Sequence, residues 1–579
     1  MSAYRPPVEE MLFVQRHVAG LDAVLALEAF AGMDVELVRQ VLEEAGRFAV
    51  RELLPLAPVA DTRPARLEGE RVVTPPGFPE AYRRFVEGGW NGLAFPPEWG
   101  GQGLPWLVDA AVAEIWNAAN TTFELCPLLT QAGIEALLAH GGEEQKRLYL
   151  PKLVPGTWTA AMCLTEPHAG SDVGALRTRA EPDGDRFRIF GQKIFITFGE
   201  HDMAENIVHF VLARLPGAPE GTRGISLFLV PKCLPDADGR PGARNDMRCV
   251  KLEHKLGIHG SPTCVMVYGE REGAVGFLVG RPHEGMRCMF TMMNNARIAV
   301  GIEGLGLAEA AFQRALAYAH ERVQGVRGGR RVPIVEHPDV RRMLLSMRAR
   351  IAAMRALCYL AKAATDLQHH HPDAEVRRAA AGRVALLTPL VKAWCTDQAV
   401  DICSTALQVH GGAGFIEETG IARFYRDVRI TPIYEGTNGI QARDLVGRKL
   451  TVEDGTLPWR LFGELRDELD SLRRGTTAEM APALEDALGR LERTTRALQA
   501  AGADAREAVA VPYLHAFAAT LGAFLLARGA RAAHRDPAGR HWPQLARWFV
   551  RRELPAALAG LDDPEAVLEL LDPAPLTSA

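Results

Sequence analysis

One segment of the chain combines a carboxylate, apolar neighbours and glycines. It reads TPIYEGTNGIQ, residues 431–441, and places Glu435 after Ile433 and Tyr434 and before the flexible Gly436. Burial in an apolar setting raises the pKa of a carboxylate because it disfavours the charged form, and such a group can accept a proton near neutral pH. Taken alone, a glutamate in a loop is more typical of a solvated surface residue.

Two further motifs could present a surface to a flat polar ring. MCLTEPHAGSD is a predicted turn in which hydroxyls on Thr165 and Ser171 and the small Gly170 lie near accessible backbone amides. KIFITFG is a predicted strand on which Phe195 and Thr197 share one face, because strand side chains alternate. Each motif by itself is more typical of an ordinary turn or of a half-buried strand.

The elements that must position these motifs change in character along the chain. Apolar residues first recur at helical spacing, then short β-rich runs follow between Gly, Pro and Asp turns, and long helical patterns fill the rest. This order predicts a mainly α protein with a central β domain. Its predicted parts are a helical N-terminal domain (1–159), a small β-barrel or sandwich (160–280), a helical bundle with Glu435 (281–455) and an additional helical domain (456–579).

A dinucleotide-binding Rossmann fold is disfavoured by the same order, because strands do not alternate with helices. Gly301, Gly304 and Gly306 come near the glycine fingerprint of that fold. They follow a helical run, however, and Glu309 occupies the position that a third glycine would need.

Charge and composition limit the classes of partner. The net charge is −5 and the basic residues are spread along the 579-residue chain, so no nucleic-acid partner is expected. Nine scattered cysteines without a C-x-x-C pair predict reduced thiols and no metal site. The first residues lack a targeting pattern, which predicts a cytoplasmic protein.

One uncharged segment, residues 508–527, has the length needed to span a bilayer. It carries Pro512, His515 and Gly522 and is rich in alanine, which partitions weakly into lipid. We therefore predict a buried helix and no transmembrane segment.

Together, and in this order, the three motifs resemble those of the acyl-CoA dehydrogenase family. TEPHAGSD is similar to the family's T-E-P-x-A-G-S-D flavin-binding signature, KIFIT to its second flavin strand, and IYEGTNGIQ to the segment with the catalytic glutamate. KLGIHGSPTC, TMMNNARIAVG, YAHERVQG and QVHGGAGF match further. The resemblance covers roughly residues 40–450, and the remaining block resembles the extension of longer bacterial members, which include enzymes for 3-methylthiopropionyl-CoA and long-chain acyl-CoA.

The resemblance implies FAD-dependent oxidation of an acyl-CoA thioester to a trans-2-enoyl-CoA, as in fatty acid β-oxidation. Glu435 would remove the α proton, and electrons would pass to an electron-transfer flavoprotein. An acyl-CoA oxidase of the same fold that uses O2 is the alternative. A homodimer or homotetramer is implied as well, because part of the cofactor site would come from a neighbouring subunit.

The resemblance also assigns individual residues. The implied cofactor contacts within a subunit are Met162, Leu164, Thr165, Gly170, Ser171, Phe195 and Thr197. Those from the neighbouring subunit are Arg322, Gln408, Gly411, Gly412, Thr437 and Asn438. The implied substrate contacts are Ser171, Asn294, Arg297 and Gly436, and the amide of Glu435 would donate to the thioester oxygen.

The chain departs from the family pattern at three places. His168 replaces the glycine common after the proline, and Phe198 stands where a small polar residue is usual. After Arg322 the smaller members read K-T-F-G, whereas this chain has VQGVRGGRRVPIVEHPDV. These departures affect the expected flavin edge and the expected contact between subunits.

Overall fold

The computed structural model describes residues 4–236 and 238–571. Residues 572–579 of the predicted C-terminal domain therefore lie outside the described part. The chain divides into two compact units. Unit 1 comprises Met1–Arg47, Pro105–Ala118 and Arg297–Ala579, and unit 2 comprises Phe48–Leu104 and Ala119–Ala296.

Helices make up most of the described chain. The α-helices are α1 (Val8–Val14), α2 (Leu21–Leu25), α3 (Val35–Phe48), α4 (Leu56–Thr62), α5 (Phe78–Glu87), α6 (Trp106–His140), α7 (Glu143–Leu153), α8 (Gly285–Glu321), α9 (Pro338–His370), α10 (Ala374–Val409), α11 (Ala422–Val428), α12 (Asn438–Asp444), α13 (Leu457–Leu472), α14 (Ala481–Ala500), α15 (Ala503–Ala508), α16 (Ala510–Ala532), α17 (Trp542–Trp548), α18 (Leu554–Leu558) and α19 (Pro564–Leu570). The helical periodicity of the sequence predicted the long members of this set.

The strands are concentrated in the middle of the chain. They are β1 (Arg66–Glu68), β2 (Arg71–Val73), β3 (Trp158–Cys163), β4 (Arg179–Asp183), β5 (Arg186–Thr197), β6 (Asn206–Arg214), β7 (Ile225–Pro231), β8 (Cys233–Pro235), β9 (Pro241–Arg244), β10 (Met247–Leu252), β11 (Thr263–Tyr268), β12 (Ala274–Val279), β13 (Val323–Arg327) and β14 (Arg330–Pro333). The predicted fold class, mainly α with a central β domain, is confirmed.

The large sheet of unit 2 curls into a closed ring of strands. Its order is β10-β11-β5-β12-β7-β6-β3, and β4 pairs with both β5 and β6. The path β4-β5-β12-β7-β6 therefore returns to β4, as expected of a small barrel. Strands β3 and β6 are buried along nearly their whole length, so both of their faces meet the protein interior.

A small hairpin, β1–β2, lies in the region that the sequence pattern predicted to be entirely helical. The prediction of an all-helical first domain was wrong at this point. The runs are only three residues each and turn at Gly69, which has φ 61°. Segments this short carry too little alternation to be distinguished from a loop.

Unit 1 is built on the long helices α9 and α10 and on α8 from Arg297 onward. Gly301 allows α8 to approach α10 closely, and Gly306 allows it to approach α6. A Cβ at Gly301 would lie 2.4 Å from Val391 Cγ1, and one at Gly306 would lie 2.8 Å from the carbonyl oxygen of Glu114. The glycines that loosely resemble a nucleotide fingerprint therefore serve helix packing.

A buried charge cluster joins three parts of unit 1. The Arg355 guanidinium lies 2.9 Å from Glu10, 2.5 Å from Glu114 and 2.8 Å from Glu309, and the Tyr359 hydroxyl donates to Glu114 at 2.6 Å. Removing one partner of such a cluster would leave buried charge uncompensated.

Helix α16 is the one helix in the described chain with the length and composition to cross a membrane. Within the structure, 83% of its most apolar stretch is buried. It packs against α9, α10 and α14 of the same unit. The prediction of a buried core helix is confirmed.

Candidate active site

The loop that carries Glu435 runs between α11 and α12 and has an unusual backbone. Glu435 has φ 57° and the following Gly436 has φ 83°. The left-handed region is natural for glycine but costs a residue with a Cβ about 1–3 kcal/mol. Such a conformation persists only where surrounding contacts hold it, so the anchors of this loop are informative.

Two side chains hold the backbone of the loop, and a third contact holds the side chain of Tyr434. Arg297 Nε donates to the carbonyl oxygen of Glu435 at 3.2 Å, and Gln441 Nε2 donates to the carbonyls of Glu435 and Gly436 at 3.4 and 3.3 Å. The hydroxyl of Tyr434 donates to Glu303. Arg297, predicted as a substrate contact, thus lies against the loop backbone.

The carboxylate of Glu435 is partly buried and electrostatically perturbed. Burial raises its pKa from 4.5 to about 6, while the nearby cations Arg297 and Lys392 act to lower it. No hydrogen bond joins the side chain or the amide of Glu435 to another residue in the described part of the chain. The group is therefore ionised at neutral pH, yet it binds a proton more readily than an ordinary glutamate.

Lys392 lies beneath this loop and was not singled out from the sequence. It is fully buried, and burial lowers its pKa to about 7. Its Nζ donates to Asn438 Oδ1 at 2.8 Å. A lysine within the apolar helical run LLTPLVKAWC was the available signal, since a buried cation needs a specific partner.

Asn438 was predicted as a cofactor contact, but both polar atoms of its side chain bond to other residues of the protein. Besides accepting from Lys392, it donates through Nδ2 to Asp397 Oδ1 at 2.7 Å and to Thr396 Oγ1 at 2.9 Å. Thr437 caps α12 by accepting from the amide of Ile440 at 3.3 Å. The cofactor roles of both residues stay predictions.

In unit 2 the turn and strand motifs are bonded to each other. The amide of Ile194 donates to the carbonyl of Thr165 at 2.9 Å. Lys193 Nζ, fully buried, donates to the carbonyl of Leu164 at 2.9 Å and to Glu166 at 2.8 Å. Residues separated by almost thirty positions are thereby fixed side by side.

The exposed side of this junction has the composition of a ring-binding surface. Phe195 is 59% exposed and has φ 61°, while the neighbouring Ile196 is buried and Thr197 is half-buried. The β5–β11 register shifts here. Within the described residues, the hydroxyls of Thr165 and Thr197 make no hydrogen bond. An aromatic face beside available hydroxyls suits a flat heterocycle.

The remaining predicted contacts of this motif differ in exposure. Gly170 and Ser171 are exposed, Leu164 is half-buried and Met162 is buried. Phe198, one of the departures from the family pattern, is buried with its ring 5.6 Å from that of His201. It points into the protein interior, so it leaves the exposed side of the strand to its neighbours.

Another group of predicted cofactor contacts meets at one end of α8 and α10. The ring of Tyr318 stacks on His410 with centroids 4.4 Å apart and an interplanar angle of 23°. Arg322 lies one turn beyond Tyr318, and Gly411 follows His410 directly. All four predicted contacts at this end of the helices are exposed: Arg322, Gln408, Gly411 and Gly412.

The predicted substrate contacts are divided between the two units. Ser171 and Asn294 belong to unit 2, and Arg297 and Gly436 belong to unit 1. Asn294 is half-buried on α8, three residues before Arg297. Their roles stay predictions.

The folds and motifs of the two units together define a class of flavoenzyme, and comparison with known proteins gives the family. The family models for acyl-CoA dehydrogenase match residues 36–157 (N-terminal domain), 161–271 (middle domain) and 283–451 (C-terminal domain). A model described as acetyl-CoA dehydrogenase C-terminal like matches residues 461–566. The predicted domain boundaries themselves stay predictions.

The chain belongs to the acyl-CoA dehydrogenase family and is an oxidoreductase of that family. It is 50% identical to a 3-methylmercaptopropionyl-CoA dehydrogenase of Ruegeria pomeroyi, over 80% of this chain and 79% of that one. It is 34% identical to the broad-specificity linear acyl-CoA dehydrogenase FadE5 of Mycobacterium tuberculosis, over 87% of this chain and 85% of that one. Among solved structures, an acyl-CoA dehydrogenase complexed with FAD from Bacillus anthracis has a TM-score of 0.75 at 23% identity. The match covers 95% of this chain and 91% of that one.

Proposed function

We propose that this protein catalyses the FAD-dependent α,β-dehydrogenation of an acyl-CoA thioester to a trans-2-enoyl-CoA, with Glu435 as the base. The observation that carries the proposal is the setting of Glu435. Its carboxylate has a raised pKa of about 6 and lacks a hydrogen bond to any described residue. A structural glutamate would normally have such a partner.

The first task of the protein is to accept the α proton. Glu435 is ionised at neutral pH, and a bound substrate would exclude more water and raise the pKa of Glu435 further. The pKa of the base then lies closer to that of the weakly acidic α carbon. Arg297 and Gln441 fix the backbone from which the carboxylate extends, so little reorganisation is needed when the proton moves.

The second task is to stabilise the enolate oxygen that develops as the proton leaves. The amide of Glu435 makes no hydrogen bond to another described residue, so it is available as a donor. A backbone donor fixed in advance stabilises developing negative charge more effectively than water does. The left-handed backbone at Glu435 sets the direction of this amide.

The cofactor is FAD, which when bound accepts the β hydrogen as hydride. The exposed ring of Phe195 suits the isoalloxazine, as do the hydroxyls of Thr165 and Thr197, which make no hydrogen bond within the described part of the chain. Arg322, Gln408, Gly411 and Gly412 suit a pyrophosphate, because they combine a cation, an amide and exposed backbone.

The protein acts as a homodimer or homotetramer in the cytoplasm. Near the pyrophosphate group of residues, Phe415 is 86% exposed and Ile416 is 51% exposed, and Val326 of the inserted hairpin is 63% exposed. Large apolar side chains with this much exposure are typical of protein interfaces. A second subunit that covers them would complete the cofactor site.

The test of the proposed base is Glu435→Gln, with the exposed Glu418→Gln as the matched control. Glutamine is nearly isosteric but accepts no proton, so turnover should fall by about 10² to 10⁴ while FAD and acyl-CoA still bind. Glu418→Gln should leave turnover unchanged. A Glu435→Gln enzyme that keeps more than about a tenth of wild-type turnover contradicts the proposal.

Substrate and electron acceptor are tested together in one panel. Acyl-CoA substrates of increasing chain length and 3-methylthiopropionyl-CoA reduce the enzyme anaerobically, after which air or an electron-transfer flavoprotein is added. We expect reoxidation by the flavoprotein, because a bound enoyl product keeps oxygen away from the reduced site. Rapid stoichiometric peroxide formation in air alone would instead identify an oxidase.

A further inference from the structure

A chain of hydrogen-bonded side chains links the C-terminal helical block, residues 456–571, to the loop of Glu435. His515 Nε2 on α16 lies 2.9 Å from Asp397 Oδ2 on α10. The other oxygen of Asp397 accepts from Asn438 Nδ2 at 2.7 Å. Asn438 Oδ1 in turn accepts from Lys392 Nζ at 2.8 Å.

Asp397 is the bridging member of this chain. Each of its carboxylate oxygens has a different partner, one in the C-terminal block and one at the first residue of α12. Because Asp397 lies on the long helix α10, its backbone is fixed. Its rotamer then depends on both partners, and loss of His515 would free one side of the carboxylate.

Asn438 lies three residues after Glu435, so its anchor bears directly on the reactive loop. Tyr434 is held by Glu303 on one side of Glu435, and Asn438 is held by Asp397 and Lys392 on the other. Between these anchors Glu435 keeps its left-handed backbone. A strained residue of this kind relaxes when its surroundings no longer over-determine it.

A second contact reinforces the link. Arg443 on α12 pairs with Glu507 on α15 at 2.7 Å, and α12 packs against α16. The helix that follows the reactive loop is therefore supported along its length by the C-terminal block. The C-terminal block therefore supports this helix through specific contacts, in addition to the surface that it buries in unit 1.

Resting on the proposed role of Glu435, we propose that His515 is a positioning residue for that base. Through Asp397 and Asn438, His515 holds the loop in the conformation that presents the carboxylate and the amide of Glu435. The C-terminal block thus takes part in catalysis without contacting the reacting atoms.

Kinetics of three variants of the full-length holoenzyme test the proposal. His515→Leu removes the contact to Asp397, and misplacement of the base should lower kcat about tenfold or more with KM little changed. His515→Gln keeps a side-chain donor and should restore much of the rate. His534→Leu is the matched control and should behave as wild type, because this exposed histidine of the same block bonds only locally, to the carbonyl of Arg531 and the side chain of Arg535.

Hydrogen exchange supplies a readout that does not depend on turnover. In His515→Leu, amides of residues 431–441 should exchange faster than in wild type, while those of α9 should not. The His515–Asp397 pair is partly exposed, so its loss has little effect on global stability and the variant should fold.

The outcomes separate this proposal from the proposed function. If wild type oxidises acyl-CoA and Glu435→Gln does not, but His515→Leu matches wild type in kcat, the positioning role is refuted and the base is retained. If wild type oxidises no acyl-CoA, the proposed function fails, and unchanged exchange at residues 431–441 would refute the anchoring as well. Faster exchange with unchanged kcat would also overturn the positioning role.

Discussion

Replacing Glu435 by glutamine should stabilise the folded protein at pH 8 but not at acidic pH. Burial raises the pKa of Glu435 from 4.5 to about 6, so the folded state holds this proton more tightly than the unfolded state does. The stability that this group contributes is complete below pH 4.5. It declines as the pH rises through the folded value of about 6 and is lost at neutral pH.

A rise of the pKa from 4.5 to about 6 corresponds to about 2 kcal/mol of unfolding free energy. Because the carboxylate is only partly buried, solvent screening reduces this, and we expect about 1 kcal/mol. Glutamine stays neutral at every pH. The difference in stability between the variant and wild type should therefore be near zero in acid and reach this value in neutral solution.

The assay is thermal unfolding of both proteins between pH 4.5 and pH 8, with FAD bound. Glu418→Gln serves as the control for the same substitution at an exposed position. A stability difference for Glu435→Gln that does not change with pH, or that grows towards acid, would refute the argument from burial. The kinetic counterpart is a kcat/KM that rises with pH through about 6 in wild type.

Three further predictions concern the surroundings of the site. Lys392→Met removes a cation that lowers the pKa of Glu435, so the pH profile of kcat/KM should move to higher pH. Arg355→Met leaves buried carboxylates unpaired and should lower the unfolding free energy by about 3–5 kcal/mol in thermal or denaturant unfolding. Arg322→Ala should weaken FAD retention and oligomer stability together in gel filtration, whereas the exposed Arg493→Ala should change neither.

The sequence was sufficient to predict the fold class and the positions of the three motifs. Helical spacing identified α8, α9 and α10, and the KIFIT motif was correctly predicted to lie on a strand, which is β5. Alternation could not predict the left-handed backbone at Phe195, because a register shift depends on the partner strand β11. The conformation of a bulge is set by pairing between distant segments.

The network around Glu435 could not be predicted for a related reason. His515 and Asp397 are separated by 118 positions, and neither residue stands in a recognisable motif. Helical periodicity indicates which face of α16 is apolar, but it does not predict how α16 is rotated about its axis relative to α10. Contacts of this kind follow from packing, so the sequence predicted the base and not its supports.

The backbone at Glu435 explains why so many supports converge on one loop. A glycine at this position would adopt φ 57° without strain but would carry no carboxylate, whereas a glutamate in a relaxed conformation would direct its side chain and its amide elsewhere. The strained glutamate supplies both groups from one residue. The cost of this backbone strain is offset by contacts from α8, α10 and α12. The C-terminal block reinforces the contacts from α10 and α12. Stability is thus concentrated at the loop where the proposed reaction needs a fixed geometry.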